Sequence, residues 1–327
     1  MTTNTGKNIR KNPFYKKFSF PINIQEFFVK KSCNIEWLNK YKTLINEIYI
    51  SSDFMMLKFK DMNGENAHNY FDNTTVINFL YAVKKLDIKI CVVFNDTELT
   101  ESDREHAFRA LELYQDLIDI IVVPNKKWLV ESKKQFKFMV KNTVINLPTF
   151  EEISNGEYDD YDMIYIHDEV IHNFDKYQNI KGSRKFGTVT NYVDCTTFCP
   201  FKLKHYNLVK KDNYDGNLFC PTTKYQPMEL LMKRNSIPGF LSEYKKYNTL
   251  LDIFKLQGRN TAGNFKEAMN IIENIYYMND IVDEDYKILQ KIGPINLLKW
   301  KSYIRNCGGM CEQCSYCDDL RIDHEPI

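Results

Sequence analysis

The sequence predicts an α/β protein of the TIM-like (β/α)8 barrel class, and three observations predict it. Eight short runs rich in Ile, Val, Phe and Tyr alternate with stretches whose apolar residues recur at helical spacing. Most of these runs are apolar almost throughout, as the strands of a parallel sheet covered on both faces are. The length of 327 residues suits one barrel with additions. An open doubly wound sheet is the rival architecture, but no Gly-x-Gly-x-x-Gly turn follows the first strand.

Taken in order, residues 1–17 read as a flexible basic tail, and Phe18-Ser-Phe-Pro-Ile22 as the first strand. Asn34 to Tyr41 reads as a helix and Glu47-Ile-Tyr-Ile50 as the second strand, ending at Ser51-Ser52-Asp53. Asn73 to Leu86 carries Val76, Ile77, Leu80 and Val83 on one helical face, with Asn73 as a cap. Ile88 to Phe94 is the third strand, Glu101 to Gln115 a helix, Ile118 to Val123 the fourth strand and Trp128 to Gln135 a helix. The fifth strand is Phe136 to Val140, with a continuation to Val144-Ile145, followed by a short helix from Phe150. Met163 to Ile166 is the sixth strand, Phe186 to Thr190 the seventh and Leu250 to Leu256 the eighth, with a long helix from about Asn264 to Tyr277. Regularity breaks between Cys199 and Tyr247, which reads as a loop-rich insertion. The expected organisation is a barrel over 18–280, with a cysteine loop at 192–247 inserted between strands seven and eight, and a helical, cysteine-rich extension over 281–327.

Charge excludes little and points nowhere in particular. Lys and Arg total 44 against 43 Asp and Glu, so no global field draws the chain to nucleic acid or an anionic membrane. The N-terminus has no apolar core of a secretory signal, and no run of about 18 apolar residues suggests a membrane span. A cytoplasmic location without membrane contact is therefore expected, where paired cysteines more often signal metal or redox chemistry than disulfides.

Cysteine distribution carries the strongest chemical signal. Of nine cysteines, Cys33 and Cys91 stand alone in apolar surroundings and read as buried hydrophobes, while the other seven begin at Cys195. Cys195 and Cys199 follow the seventh strand, Cys220 comes later in the same loop, and Cys307, Cys311, Cys314 and Cys317 crowd four thiols into eleven residues. Such spacing suits a 4Fe-4S cluster, with a four-thiolate zinc site as the alternative metal-binding reading. Cys307-x3-Cys311-x2-Cys314 matches radical SAM spacing, but it lies near the end of the sequence rather than after the first strand, and Gln313 precedes its third cysteine where an aromatic residue is usual.

Strand ends supply the other candidates. In a barrel the C-terminal ends of the strands face the active-site mouth. The polar residues there include Asp53, Asn95, Asn125, His167, Asp168, Asn191, Gln257 and Arg259. His167 and Asp168 are the acid/base candidates, since imidazole titrates near neutral pH. Lys202, Lys204, His205, Lys210 and Lys211 form a basic run beside the cysteine loop, which leaves RNA open as a substrate.

Three patches resemble the collagenase-like peptidase family, peptidase family U-thirty-two. Asp252-Ile-Phe-Lys-Leu-Gln-Gly-Arg259 and the helix with Phe265 resemble its Lys-Ile-Glu-Gly-Arg strand end, although Gln257 stands in place of the usual acidic residue. Thr190 to His205 resembles the family's cysteine loop after the seventh strand, and the cysteine-rich end with Tyr316 is similar to tails of divergent members. The longer peptidase signature of cysteines and glycines is absent. The resemblance implies a TIM-like barrel carrying an oxygen-sensitive 4Fe-4S cluster. It also implies a hydroxylase activity without molecular oxygen, of the kind members perform on RNA bases or ubiquinone precursors, with prephenate implicated as oxygen donor. On this reading Cys195, Cys199 and Cys220 hold the cluster with at least one tail cysteine. His167, Asp168 and Arg259 then act at a small aromatic or RNA substrate, and Asp53, Asn95, Asn125, Asn191, Gln257 and His205 help bind it. Two alternatives stand beside it: a non-catalytic iron-sulfur or zinc scaffold, half of a heterodimer with a related subunit, and a peptidase. No Ser-His-Asp order or His-Glu-x-x-His supports the latter.

Overall fold

A computed structural model of the chain describes residues 12–23, 27–28, 31, 33–51, 73–95, 99–146, 148–191, 227–258, 262–311 and 313–322. Its strands are β1 (Phe18–Pro21), β2 (Ile45–Ser51), β3 (Lys89–Val93), β4 (Ile120–Val123), β5 (Met139–Asn142), β6 (Ile164–Tyr165), β7 (Phe186–Val189) and β8 (Ile253–Lys255). They form one eight-stranded sheet in the order β5-β4-β3-β2-β1-β8-β7-β6, with every pairing parallel. A parallel bridge between Lys141 and Met163 joins the two edge strands. The sheet is thus a nearly closed TIM-like (β/α)8 barrel, as the strand count predicts.

The intervening helices are α1 (Ile35–Tyr41), α2 (Asn73–Lys84), α3 (Glu101–Leu113), α4 (Lys126–Gln135), α5 (Phe150–Ser154), α6 (Phe174–Ile180), α7 (Pro227–Lys233), α8 (Leu241–Tyr247) and α9 (Ala262–Tyr276). Their starts are set by polar caps placed where the sequence leaves a strand. The Asn34 side chain accepts from the Trp37 N–H, Asn125 does the same for Trp128, and Thr100 and Thr149 build reciprocal capping boxes with Asp103 and Glu152.

Strand side chains alternate between two cores, as period two requires. Ile48, Ile50, Ile90, Val92, Ile121 and Val123 point outward into the large layer beneath the helices. Tyr49, Cys91, Val93, Ile120, Val122, Met163, Tyr165 and Ile253 fill the barrel interior. Gly187 is required there: a Cβ would stand 2.8 Å from Cε1 of Tyr165, so the glycine makes room for that ring.

Two side-chain amides complete the sheet where backbone pairing stops. Asn142 accepts from the Tyr165 N–H at 2.6 Å and donates to the Tyr165 carbonyl at 2.9 Å, standing in for a strand across the β5–β6 seam. Asn191 treats Gln257 likewise, accepting from its N–H at 2.6 Å and donating to its carbonyl at 3.3 Å, two residues beyond the ends of β7 and β8.

After the barrel come α10 (Glu284–Gln290), α11 (Pro294–Ile304) and α12 (Tyr316–Ile322). With α7 they share a separate small core built on Leu231, Met232, Phe240, Leu289, Ile292, Leu297, Trp300, Ile304 and Leu320. Two readings need correction. The insertion read as loop-rich contains α7 and α8 in its described part, because Met228, Leu231 and Met232, and likewise Leu241, Tyr244 and Tyr247, repeat at helical spacing over single short helices. The stretch between β6 and β7 holds α6, which buries Phe174 and Tyr177 and was not read from the pattern. Among the described residues no helix is long and apolar enough to cross a membrane.

Candidate functional site

The barrel interior is charged, which the sequence patterning did not single out. Glu47 on β2 and Lys141 on β5 meet across it, with the ammonium 2.8 and 2.7 Å from the two carboxylate oxygens and both side chains wholly buried. Burial alone would raise the Glu47 pKa, but the charge and hydrogen bonds of Lys141, with Lys255 beyond, hold it below the ordinary carboxylate value. The Tyr165 hydroxyl lies 3.4 Å from Glu47 and 3.5 Å from Lys141. Lys255 on β8 rests its ammonium over the rings of Tyr49 and Tyr165, 4.9 and 4.8 Å from their centroids. Beside them the Cys91 thiol is pushed up to about 12, first by burial and then by the Glu47 charge, so it stays protonated. Charged residues inside otherwise apolar strands are the signal that could have found this group: a lysine buried on both faces of a sheet must meet a partner in the interior.

Above this floor the described strand ends carry Asn95, Asn125, His167, Asp168, Asn191 and Gln257 of the predicted polar set. Asn95 accepts from the Thr143 hydroxyl at 3.0 Å, tying the end of β3 to that of β5. Asn125 caps α4, and Asn191 and Gln257 hold each other as described. His167 and Asp168 follow β6, with His167 Nδ1 2.9 Å from both the Glu169 N–H and an Asp168 carboxylate oxygen. Glu267 on α9, absent from the sequence-derived set, reaches Asn191. Burial, against the opposing charge of Arg234, pushes it up to about 7, with Asp283 and Asp285 adding to the rise.

The four tail cysteines sit on this same face. Cys307, Cys311 and Cys314 occupy the turn between α11 and α12, Cys317 lies in the first turn of α12, and the connecting turn docks on the 3-10 segment Asp168–His172 leading out of β6. The Gly308 N–H donates to the His172 carbonyl at 2.9 Å, and the Phe174 N–H to the Arg305 carbonyl at 2.7 Å. Arg305 clasps buried Glu243 with two hydrogen bonds of 3.0 and 2.7 Å, and Asn306 exchanges two with Asp175. Gly308 and Gly309 both have positive φ, 73° and 67°, which folds the turn back so that the Gly309 N–H points at the Cys307 sulfur, 3.4 Å away.

Each thiol has a distinct setting. Cys307 Sγ is 3.2 Å from Nδ1 of His172. Burial pushes that imidazole down to about 4 against the pull of the Arg234 and Ile304 carbonyls, and burial also raises the Cys307 thiol. The pair is consequently a neutral thiol and a neutral imidazole near pH 7. Cys317 is raised by burial and then by the neighbouring Cys307 and Cys311 thiols, and its sulfur lies 4.0 Å from the Met232 carbonyl on α7. Cys314 meets the Tyr303 hydroxyl at 3.7 Å. The six described cysteines form no disulfide with one another.

In donor type the tail cysteines are those a soft, thiolate-bound metal takes, but among the described residues no three His, Cys, Asp or Glu side chains are placed to hold a metal ion. Cys195, Cys199, Cys220, His205, Asp53 and Arg259 lie outside the described residues. Compared with protein-family models and with curated proteins, the chain matches none.

Proposed function

We propose that this chain is a barrel enzyme whose iron-sulfur centre stands at the rim of the C-terminal face, where it serves hydroxylation or a related modification of an aromatic or nucleobase substrate. The observation that carries this reading is the docking of the Cys307–Cys317 turn on the segment after β6. Nothing in barrel architecture requires a C-terminal appendage to bring four thiols to the face where barrel enzymes do their chemistry.

On this reading Cys307, Cys311, Cys314 and Cys317 contribute thiolates, joined by Cys195, Cys199 and Cys220 on grounds of sequence alone. A centre bound there would supply electron transfer. The chain's own residues do the rest. His167, Asp168 and Glu267 stand at the rim as groups able to give or take a proton, Glu267 being near half-protonated at neutral pH. Tyr49 and Tyr165 form an aromatic floor, with Lys255 over both rings. Arg259 follows β8 in the chain and suits a carboxylate or phosphate on the substrate.

Purification without oxygen tests the proposal directly. The expected product is a brown protein with about four irons per chain. A colourless protein loaded with zinc would overturn the iron-sulfur reading and leave the scaffold alternative.

A further inference from the structure

The N-terminal face of the barrel, where strands begin and helices end, is divided by charge. Beneath β4 to β6 it carries Asp116, Glu157, Asp159, Asp160 and Asp162, of which Asp159 and Asp162 pair with Arg184 and Lys133. The sector beneath β1 to β3 is the reverse. Lys16 leads into β1, Lys40 and Lys42 close α1, Lys84 and Lys85 close α2, and Lys89 opens β3. Backbone and side-chain bonds tie these pieces into one surface: the Lys16 N–H donates to the Thr43 carbonyl at 2.8 Å, its ammonium donates to the Asp87 carbonyl, and Asn12 Nδ2 reaches the Ile275 carbonyl on α9 at 3.5 Å. Asp87 and Asp119 already answer Lys16 and Lys84, at 3.4 and 2.6 Å, and Glu273 takes the Trp37 indole N–H. Lys42, Lys85 and Lys89 stand outside any ion pair among the described residues. Burial lowers the Lys16 pKa, Asp87 opposes that, and the ammoniums of Lys42 and Lys89 lower it further, so like charges crowd together here.

Tyrosines stand among these lysines. Tyr15 precedes β1, Tyr81 lies in the last turn of α2 and Tyr277 follows α9, and they are 53%, 51% and 57% exposed. Lys40 holds its ammonium 4.8 Å from the ring centroid of Tyr41 and 5.8 Å from that of Tyr277. A single nucleic-acid strand uses both kinds of group, ammoniums for its phosphates and exposed rings for its bases to stack on. An acidic protein would need the charges alone. Residues 1–17, which lead to this face in the chain, add Lys7, Arg10, Lys11 and Lys17 and contain no Asp or Glu. We infer that the sector of the N-terminal face beneath β1 to β3 is a docking surface for single-stranded nucleic acid, with phosphates on Lys42, Lys85 and Lys89 and bases on Tyr81 and Tyr277. It lies at the opposite end of the barrel from the cysteine turn, so the inference goes beyond the reading above and is independent of any metal there.

The test is fluorescence anisotropy of the full chain with labelled oligouridine, oligothymidine and an RNA duplex of equal length, across a range of salt. Both single strands should bind in preference to the duplex, and the stronger of the two tells RNA from DNA. The double variant Lys85→Gln, Lys89→Gln should flatten the slope of log affinity against log salt by about 1.4, the share of two phosphate contacts on a single strand. Tyr81→Ala and Tyr277→Ala should each weaken binding about 5- to 150-fold and leave that slope unchanged, as loss of one stacked base does. Lys134→Gln, in the last turn of α4 on the acidic half of the face, should change neither quantity. Far-ultraviolet circular dichroism checks that each variant folds. A wild-type chain that binds no oligonucleotide even at low salt would overturn the inference. Equal losses in Lys134→Gln and in the lysine double variant would do the same, because the attraction would then be diffuse. Binding indifferent to both tyrosine variants and matched by polyglutamate would give the face to an acidic protein instead.

Discussion

The barrel interior and the cysteine turn are both polar sites lined by side chains that proteins rarely bury, yet they are held in opposite ways. Inside the barrel, Glu47 and Lys141 are wholly buried and pair at hydrogen-bond distance, with tyrosine hydroxyls and rings around them. In the turn and the start of α12, four thiols are half-buried, their contacts being long ones to carbonyls, a backbone N–H, a phenol and an imidazole. A satisfied network of charges is self-sufficient, because each group already has what water would have offered. Thiols make weaker hydrogen bonds, and the turn that carries them takes its shape from two positive-φ glycines and a few backbone hydrogen bonds. The barrel floor is thus complete as it stands, while the turn is where the proposal above puts a ligand.

Breaking the floor should be costly. Lys141→Met strands the Glu47 carboxylate in a dry interior and should lower stability by about 3–5 kcal/mol in urea unfolding. The double variant with Glu47→Leu should recover most of that, because removing both charges removes the desolvation penalty as well. A smaller loss, about 1–3 kcal/mol, is expected for Gly187→Ala, whose methyl would press on the Tyr165 ring at 2.8 Å. Asn142→Ala should cost a similar or slightly smaller amount, about 1–3 kcal/mol, by leaving the Tyr165 amide and carbonyl unpaired at the seam. Acid probes the same network without mutation. The Glu47 pKa is depressed in the fold, so its contribution is fully present above the ordinary value of 4.5 and is lost as pH falls through its lower folded value. Stability should thus fall with acid below about pH 4.5, and Glu47→Gln should flatten that part of the profile. The turn should respond least: Cys314→Ser, at a half-exposed position with one long contact, should move barrel stability by no more than about 0.5 kcal/mol while weakening metal retention. An equal loss at both sites would erase the distinction drawn here.

What was legible in the sequence follows the same physics. The eight strands could be read because each is short, apolar and followed by a polar strand end, and their parallel order follows from the helices between them. Asn125 could be read as lying at a strand end, but its role as a helix cap is local geometry that a residue type does not reveal. Glu47, Lys141 and Lys255 were passed over because a single charge in an apolar run resembles a solvated edge until the closure of the barrel places three such strands around one axis. His172 was invisible for a related reason: Cys307 comes 135 residues later, and only the docking of the tail brings the two together. Cys307, Cys311, Cys314 and Cys317 were legible as a group, since thiol density has few explanations besides metal.

The central claim is that the C-terminal turn holds a metal centre at the barrel's functional face together with the cysteine loop after β7. Electron paramagnetic resonance of the anaerobically isolated, reduced chain, compared with Cys195→Ala and Cys314→Ala, tests it most directly. The account predicts one iron-sulfur signal in the parent that is lost or transformed in both variants. A signal that survives intact in Cys314→Ala would contradict it, because the turn would then have no part in the centre.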